Sequence, residues 1–257
     1  MSLNNFLKKI DPVIQKQYAL EKFKEGHTGR NFVVDEPEFK FEAPKFKTKI
    51  KLPKAIENPR ASGYLMARKL DPSKFYYAKH FKKFANSLKH TFDSEKHDED
   101  RIIIPLYYEK NLIGFQGRSI NPSPVKYITI MLDDDAPKIY GLDKINTNER
   151  VYITEGPFDS TFIRNAIAMC GADAVLGDWG INDCCWIYDN EPRNREIVNR
   201  IGKTIDSGDS VVIWPNGIDD KDINDMVMSG LDVQSVIDSN TYSGLEAQLK
   251  FTTWKKI

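Results

Sequence analysis

The sequence has no pair of cysteines at C-x-x-C spacing. Its three cysteines are Cys170, Cys184 and Cys185, and nothing in their placement seeds a structural zinc site. Reduced, buried thiols are expected instead. No apolar run approaches the length needed to cross a bilayer. The opening MSLNNFLKKIDP carries no signal-peptide core, so a cytoplasmic protein is expected. No G-x-x-x-x-G-K-[ST] loop occurs, which excludes a P-loop motor. Net charge is also missing: 37 Lys and Arg balance 37 Asp and Glu.

That balance conceals an asymmetry. Residues 1–150 hold 28 basic and 20 acidic side chains, whereas residues 151–257 hold 9 and 17. A basic half suits a polyanion and an acidic half suits divalent cations. Chance scatter of surface charge is the alternative. With 40% hydrophobic residues the 257-residue chain can build a core, as one large domain or two small ones.

Four segments are read along the chain: 1–59, a helix and a basic extended linker; 60–149, a basic subdomain; 150–235, a strand–helix alternation; and 236–257, a tail. Phe6, Ile10, Ile14, Tyr18 and Phe23 recur at helical spacing over residues 1–26. Lys45, Lys47, Lys49 and Lys51 alternate with apolar residues between Pro44 and Pro53. This run is a basic arm for a phosphate backbone, an edge strand guarded by lysines, or a linker. Short helices are expected within 61–92. RIIIPLYYEKNLIGFQGRSI predicts two strands around a turn at Glu109–Asn111, and KYITIML a third.

From residue 150 strands alternate with helices: VYITEG, a helix over 159–171, AVLG, CCWIYD, a helix over 195–208, SVVIWP, and a short helix over 223–230. That alternation argues for a parallel sheet with helices on its faces. Ligands bind such sheets at the C-terminal strand ends. Three strands there run into carboxylates: Glu155, then Asp189 and Glu191, then the run Asp219, Asp220, Asp222 and Asp225. Gly156 and Pro157 make a tight turn that holds Glu155 at its strand end. Carboxylates with few histidines or thiols suit Mg2+ or Mn2+, and a cation relieves their mutual repulsion. Each feature alone is commonplace; their order is not.

VYITEGPFDS, IYDNEPRN and KDINDMV in that order resemble the Toprim domain of primases and topoisomerases. In that family a Glu follows the first strand, a D-x-D pair a later one, and a third acidic motif the next. Glu155 matches the Glu, and Asp159 the acidic residue four positions on. Asp189 and Glu191 match the pair, and Asp222 with Asn224 the third motif. The pair reads D-N-E rather than D-x-D, so Glu191 reaches an ion from a longer arm.

The preceding region, RIIIPLYYEKNLIGFQGRSI…KYIT…PKIYG, resembles the basic subdomain of bacterial and phage primases. The matching positions are Arg101, Pro105, Gly114, Phe115, Gly117, Arg118, Lys126, Tyr127, Lys138, Tyr140 and Gly141. The turn glycine is replaced by Lys110-Asn111. The resemblance covers roughly residues 60–230 and is strongest to the primases of T-even-type bacteriophages. It implies an α/β fold, with a basic α+β subdomain followed by a Rossmann-like Toprim subdomain.

The implied activity is synthesis of short RNA primers on single-stranded DNA from ribonucleoside triphosphates, by metal-dependent nucleotidyl transfer in the cytoplasm of an infected host. The resemblance makes Glu155, Asp189 and Glu191 catalytic, with Asp222 a fellow ligand of Mg2+ or Mn2+, and Asp159 and Asp225 in support. Arg118, Lys126, Lys138 and Arg101 would meet nucleic acid or nucleotide, with a structural role the alternative for Arg101. For Arg118 and Lys126 alone, a surface salt-bridge network is the alternative. Phe115, Tyr127 and Tyr140 stack on bases or fill the core. Partners are a replicative hexameric helicase and a zinc-binding domain supplied in trans. A Toprim nuclease and a non-catalytic replisome module are the competing readings.

Overall fold

The computed structural model describes residues 50–123, 125–170 and 176–257, together with Leu7. The expected helix over 1–26 and most of the lysine run 45–51 lie outside these residues. All the structure below belongs to one unit, Lys47–Ile257.

The apolar run at 101–108 forms the centre of a four-stranded antiparallel sheet. Its order is β1 (Tyr76–Ala78), β2 (Arg101–Tyr108), β3 (Asn111–Ser119), β4 (Tyr127–Met131). Ile102, Ile104 and Leu106 face one core and Ile103 the other, as the two-residue period of a strand demands. The β2–β3 turn is made by Glu109 and Lys110, both with positive φ, at 49° and 62°. A two-residue hairpin needs that conformation, and glycine or asparagine usually supplies it. Helix α1 (Pro59–Met66) is capped by Asn58, whose side chain accepts from Ala61 N–H. Helix α2 (Phe81–Leu88) covers one sheet face with Phe81, Phe84 and Ala85. A Cβ at Gly117 would lie within 3.0 Å of several Phe81 ring carbons, so glycine there lets the ring pack directly on the strand.

The second sheet has the order β6-β5-β7-β8-β9. Its strands are β5 (Val151–Thr154), β6 (Ala166–Ala168), β7 (Cys184–Ile187), β8 (Ser210–Val212) and β9 (Thr241–Tyr242). The first four run parallel and β9 runs antiparallel. The α/β class with a parallel sheet is therefore present. Val151 and Ile153 face one core and Tyr152 the other. Helix α4 (Arg195–Asp206) begins at Asn194, which accepts from Glu196 N–H, and buries Ile197, Val198, Ile201 and Ile205 on one stripe. Each such burial contributes about 1.5–3 kcal/mol.

Two expectations change. The helix over 159–171 is a single turn, α3 (Pro157–Ser160). It ends at Thr161, and Asn165 turns the chain into the next strand: its φ is 47°, and its side chain bonds Asn146 N and O and Arg150 O. The chain then enters β6, so the strand after β5 lies at 166–168, at the sheet edge, rather than at AVLG. Residues 174–175 of AVLG lie outside the description, and Leu176–Trp179 is a 3-10 turn. The segment read as a tail from 236 is folded. After α5 (Ile223–Met228) come α6 (Val233–Ser239), β9 and α7 (Gly244–Trp254), with Ile237, Ala247 and Trp254 in the core.

The three thiols are free. Burial pushes Cys170 and Cys184 up to about 12 and Cys185 to about 11. Among the described residues, no helix is long and apolar enough to cross a membrane.

Candidate active site

In the second sheet the chain leaves β5 toward β6 on one side and returns to β7 on the other. That reversal opens a crevice at the C-terminal strand ends. Glu155 follows β5 directly, and Asp189 lies two residues beyond β7. Asp222 caps α5, its Oδ1 accepting from Asp225 N–H at 2.8 Å. Asp159 on α3 accepts from Asn224 N–H at 3.1 Å.

These carboxylates form one wall of a cavity of about 630 Å³. The antiparallel half lines the same cavity with Arg118 and Tyr127 from its sheet, Lys126 just before β4, and Arg68 from the turn after α1. Gly156 and Pro157 line it as well. Arg118 donates to Tyr64 Oη at 3.1 Å and lies over the Tyr127 ring, 4.5 Å from its centroid. This fixes the guanidinium's plane while leaving it on the cavity. The two halves are joined reciprocally. Arg68 Nη1 donates to Asn224 Oδ1 at 2.9 Å, and Asn224 Nδ2 donates to Arg68 O at 2.8 Å.

The acidic wall is electrostatically unbalanced. Burial, then Asp222, pushes Asp159 up to about 7. Burial, then Glu155, pushes Asp189 up to about 6. Burial also raises Glu155, against the opposing pull of Arg200. Asp225 is raised by burial and by Asp222. Arg200 Nη1 lies 3.1 Å from Glu155 Oε1, yet that buried oxygen receives no properly aimed hydrogen bond. Lys221 Nζ lies 3.2 Å from Glu191 and 3.7 Å from Asp189. Glu191 itself stands beside the cavity, in a shallow recess with Pro192, Asn194 and Lys256.

Among the described residues, no three acidic, histidine or cysteine side chains enclose a ready-made ion cage. The donors nonetheless fit a hard cation. They are all carboxylate oxygens, and Glu155 Oε1 lacks a donor. Mg2+ uses one or two protein carboxylates and completes its shell with water and substrate phosphate.

A DNA primase of Enterobacteria phage T4 is 30% identical over 272 aligned positions, which span 98% of this chain and 78% of the phage protein. The chain belongs to the DNA primase family. No protein-family model matches it. The DnaG catalytic core shares the fold, with a TM-score of 0.57 at 19% identity over 79% of each chain. The Aquifex aeolicus primase, comprising zinc-binding and RNA polymerase domains, gives 0.55 at 20% identity over 74% of this chain. The chain spans 58% of that protein's length.

Within this primase, Glu155, Asp159, Asp189, Asp222, Asp225, Arg118 and Lys126 all meet in one cavity, with Glu191 at its margin. Two residues named from the sequence do not join them. Lys138 is exposed and outside the cavity. Arg101 is fully buried, and its donors serve Gly117 O, Val125 O, Lys126 O and the Glu99 carboxylate. No N–H is left for a phosphate, so Arg101 instead fixes the segment that carries Lys126. Phe115 and Tyr140 are core residues, while Tyr127 faces the cavity.

Sequence reasoning missed Arg68, Arg200 and Lys221. Arg68 stands 156 positions from its partner Asn224 and bears no local signal. Lys221, a lone cation within an acidic run, was visible as a pattern break.

Proposed function

We propose that this chain is a primase catalytic core that extends short RNA primers on single-stranded DNA by divalent-metal-dependent nucleotidyl transfer. The observation that carries this reading is the single cavity lined both by cations and by carboxylates from three strand ends.

Glu155, Asp189, Glu191 and Asp222 would hold Mg2+ or Mn2+, with Asp159 and Asp225 in support. When bound, the ion supplies neutralisation of phosphate charge and a lowered pKa for the attacking hydroxyl. Arg118 and Lys126 hold the nucleotide's phosphates or the template backbone. Such contacts position a strand without reading its sequence. Arg68 adds a third cation to the same wall, and Lys138 contacts the strand outside the cavity. The primer 3′-oxygen forms a bond to the α-phosphorus, the α–β phosphate bond breaks, and pyrophosphate leaves. Glu155, whose carboxylate follows β5 into the cavity, accepts the hydroxyl proton.

Selection of start sites rests on a zinc-binding domain in trans, and delivery to the template on a hexameric helicase. Both proposals come from the family resemblance.

The test supplies single-stranded DNA, an annealed RNA primer, labelled ribonucleotides and Mg2+ or Mn2+. Template-dependent extension that disappears in Glu155→Gln and Asp189→Asn supports the reading. Metal-dependent DNA cutting without extension would instead establish a nuclease. DNA binding with neither activity would leave a helper module.

A further inference from the structure

Asn190 lies between Asp189 and Glu191 but does not line the cavity. Its side-chain donors and acceptor are all engaged. Nδ2 donates to Ile218 O at 2.9 Å and to Asp220 O at 3.2 Å. Oδ1 accepts from Trp254 Nε1 at 3.2 Å. Its backbone N–H donates to Lys221 O at 2.7 Å. One residue therefore joins three segments: the loop after β7, the acidic loop after β8, and α7. These bonds join 189–191 to 218–222 alongside the Lys221 ion pairs with Asp189 and Glu191, and among the described residues Asn190 alone adds the tie to α7 through its side chain. A second tie from the end of α7, Lys256 N–H to Pro192 O at 2.9 Å, reaches the same β7 loop.

The chemistry of the position is demanding. It needs two donors toward one loop and an acceptor toward the helix, which a primary amide supplies. Aspartate would present oxygens to two carbonyls, and alanine would keep only the backbone bond to Lys221. Trp254 is 6% exposed, and its ring stacks on Phe251 at 6.3 Å between centroids, so the indole N–H has a fixed aim.

We propose that Asn190 is a positioning residue for the carboxylates that hold the metal ion, and that α7 keeps its amide in the working orientation through the Trp254 indole. This rests on the reading of the cavity as the metal-dependent site. Asp189 and Glu191 flank the amide, while Lys221 and Asp222 sit on the loop it grips. The spacing between the two groups of ligands is thereby fixed before substrate arrives. Outer partners of metal ligands act in this way, and their loss weakens metal binding.

The experiment measures Mg2+ binding by titration calorimetry and the Mg2+ midpoint of primer extension in the same full chain. In Asn190→Ala, Mg2+ affinity should fall about tenfold and the extension midpoint should rise to match, with the rate at saturating Mg2+ within about threefold of the unaltered chain. Trp254→Phe removes the N–H along with part of the indole's packing, and should shift both in the same direction by a smaller factor while lowering the melting temperature. If both variants keep the unaltered Mg2+ midpoint while losing stability or rate, Asn190 is structural and the proposal is overturned. If Asn190→Ala does not fold, Trp254→Phe decides alone: an unchanged midpoint overturns the proposal. Asp189→Asn separates this from the reading beneath it. Full activity in Asp189→Asn removes the site assignment itself, and the role of Asn190 with it. A dead Asp189→Asn beside unshifted Asn190→Ala and Trp254→Phe removes only the positioning role.

Discussion

Arg68 and Asn224 grip each other twice, guanidinium to side-chain oxygen and side-chain amide to backbone carbonyl. The pair closes the cavity where its basic and acidic walls meet. Asn224 is 3% exposed, so replacing it with alanine leaves polar groups without partners. Asn224→Ala should lower stability by about 2 kcal/mol, read from urea unfolding with an unchanged m-value. A loss of only a few tenths would mean that water replaces both bonds freely.

Lys221 competes with any ion for Asp189 and Glu191. It is an exposed cation, so its hold is modest. Lys221→Ala should tighten Mn2+ binding in the absence of nucleotide by about threefold, measured by calorimetry. Weaker binding would instead make the lysine a scaffold for the loop.

Asp159 and Asp189 titrate near 7 and 6, above the unfolded value of about 4. Between about pH 4 and 7 the folded chain therefore holds more protons than the unfolded chain. The stability they contribute is greatest below that window and is lost as pH rises through it. Metal-free urea unfolding at pH 5 and pH 8 should show this loss, and Asp159→Asn should show less of it. Mg2+ added at pH 8 should recover stability, because a cation binds the ionised forms. Equal losses in both chains would assign the effect to other groups.

Lys110 occupies a left-handed backbone position at the β2–β3 turn. Its backbone N–H donates to Asp143 at 2.8 Å, a bond any residue can make. Lys110→Gly should keep the bond, relieve the conformation and add about 1 kcal/mol of stability, visible as a higher melting temperature. No increase would mean that the unfolded chain's gain in freedom cancels the relief.

The strands were legible where β-branched residues run together, as in 101–106 and 151–154, because pattern and burial point the same way there. The convergence of Glu155, Asp189 and Asp222 was legible too, since a parallel sheet brings its C-terminal strand ends to one edge. What stayed hidden depends on tertiary partners. Asn165 lies within the stretch that local spacing favours as helix, yet a loop nearly twenty residues earlier captures its side chain and holds the backbone in a left-handed turn. For Arg101 the sequence left a phosphate contact and a structural role open, and its buried carbonyl partners decide for the clamp. The strand and helix beyond residue 236 carry weak periodicity, and their apolar residues find a role only against α4 and β8.

Phe158 sits edge-on to Phe75 and Tyr127, at 5.4 and 6.4 Å between centroids, in the core that both sheets share. Its neighbours in sequence line the cavity, and Asp159 follows it directly. The ring is thus a seam between the halves. A parallel-sheet half grafted onto a foreign antiparallel partner would arrive with an aromatic plug lacking its socket, and the carboxylates on either side would move with it. Recombination of such halves must therefore exchange plug and socket together, which binds their histories into one inherited block.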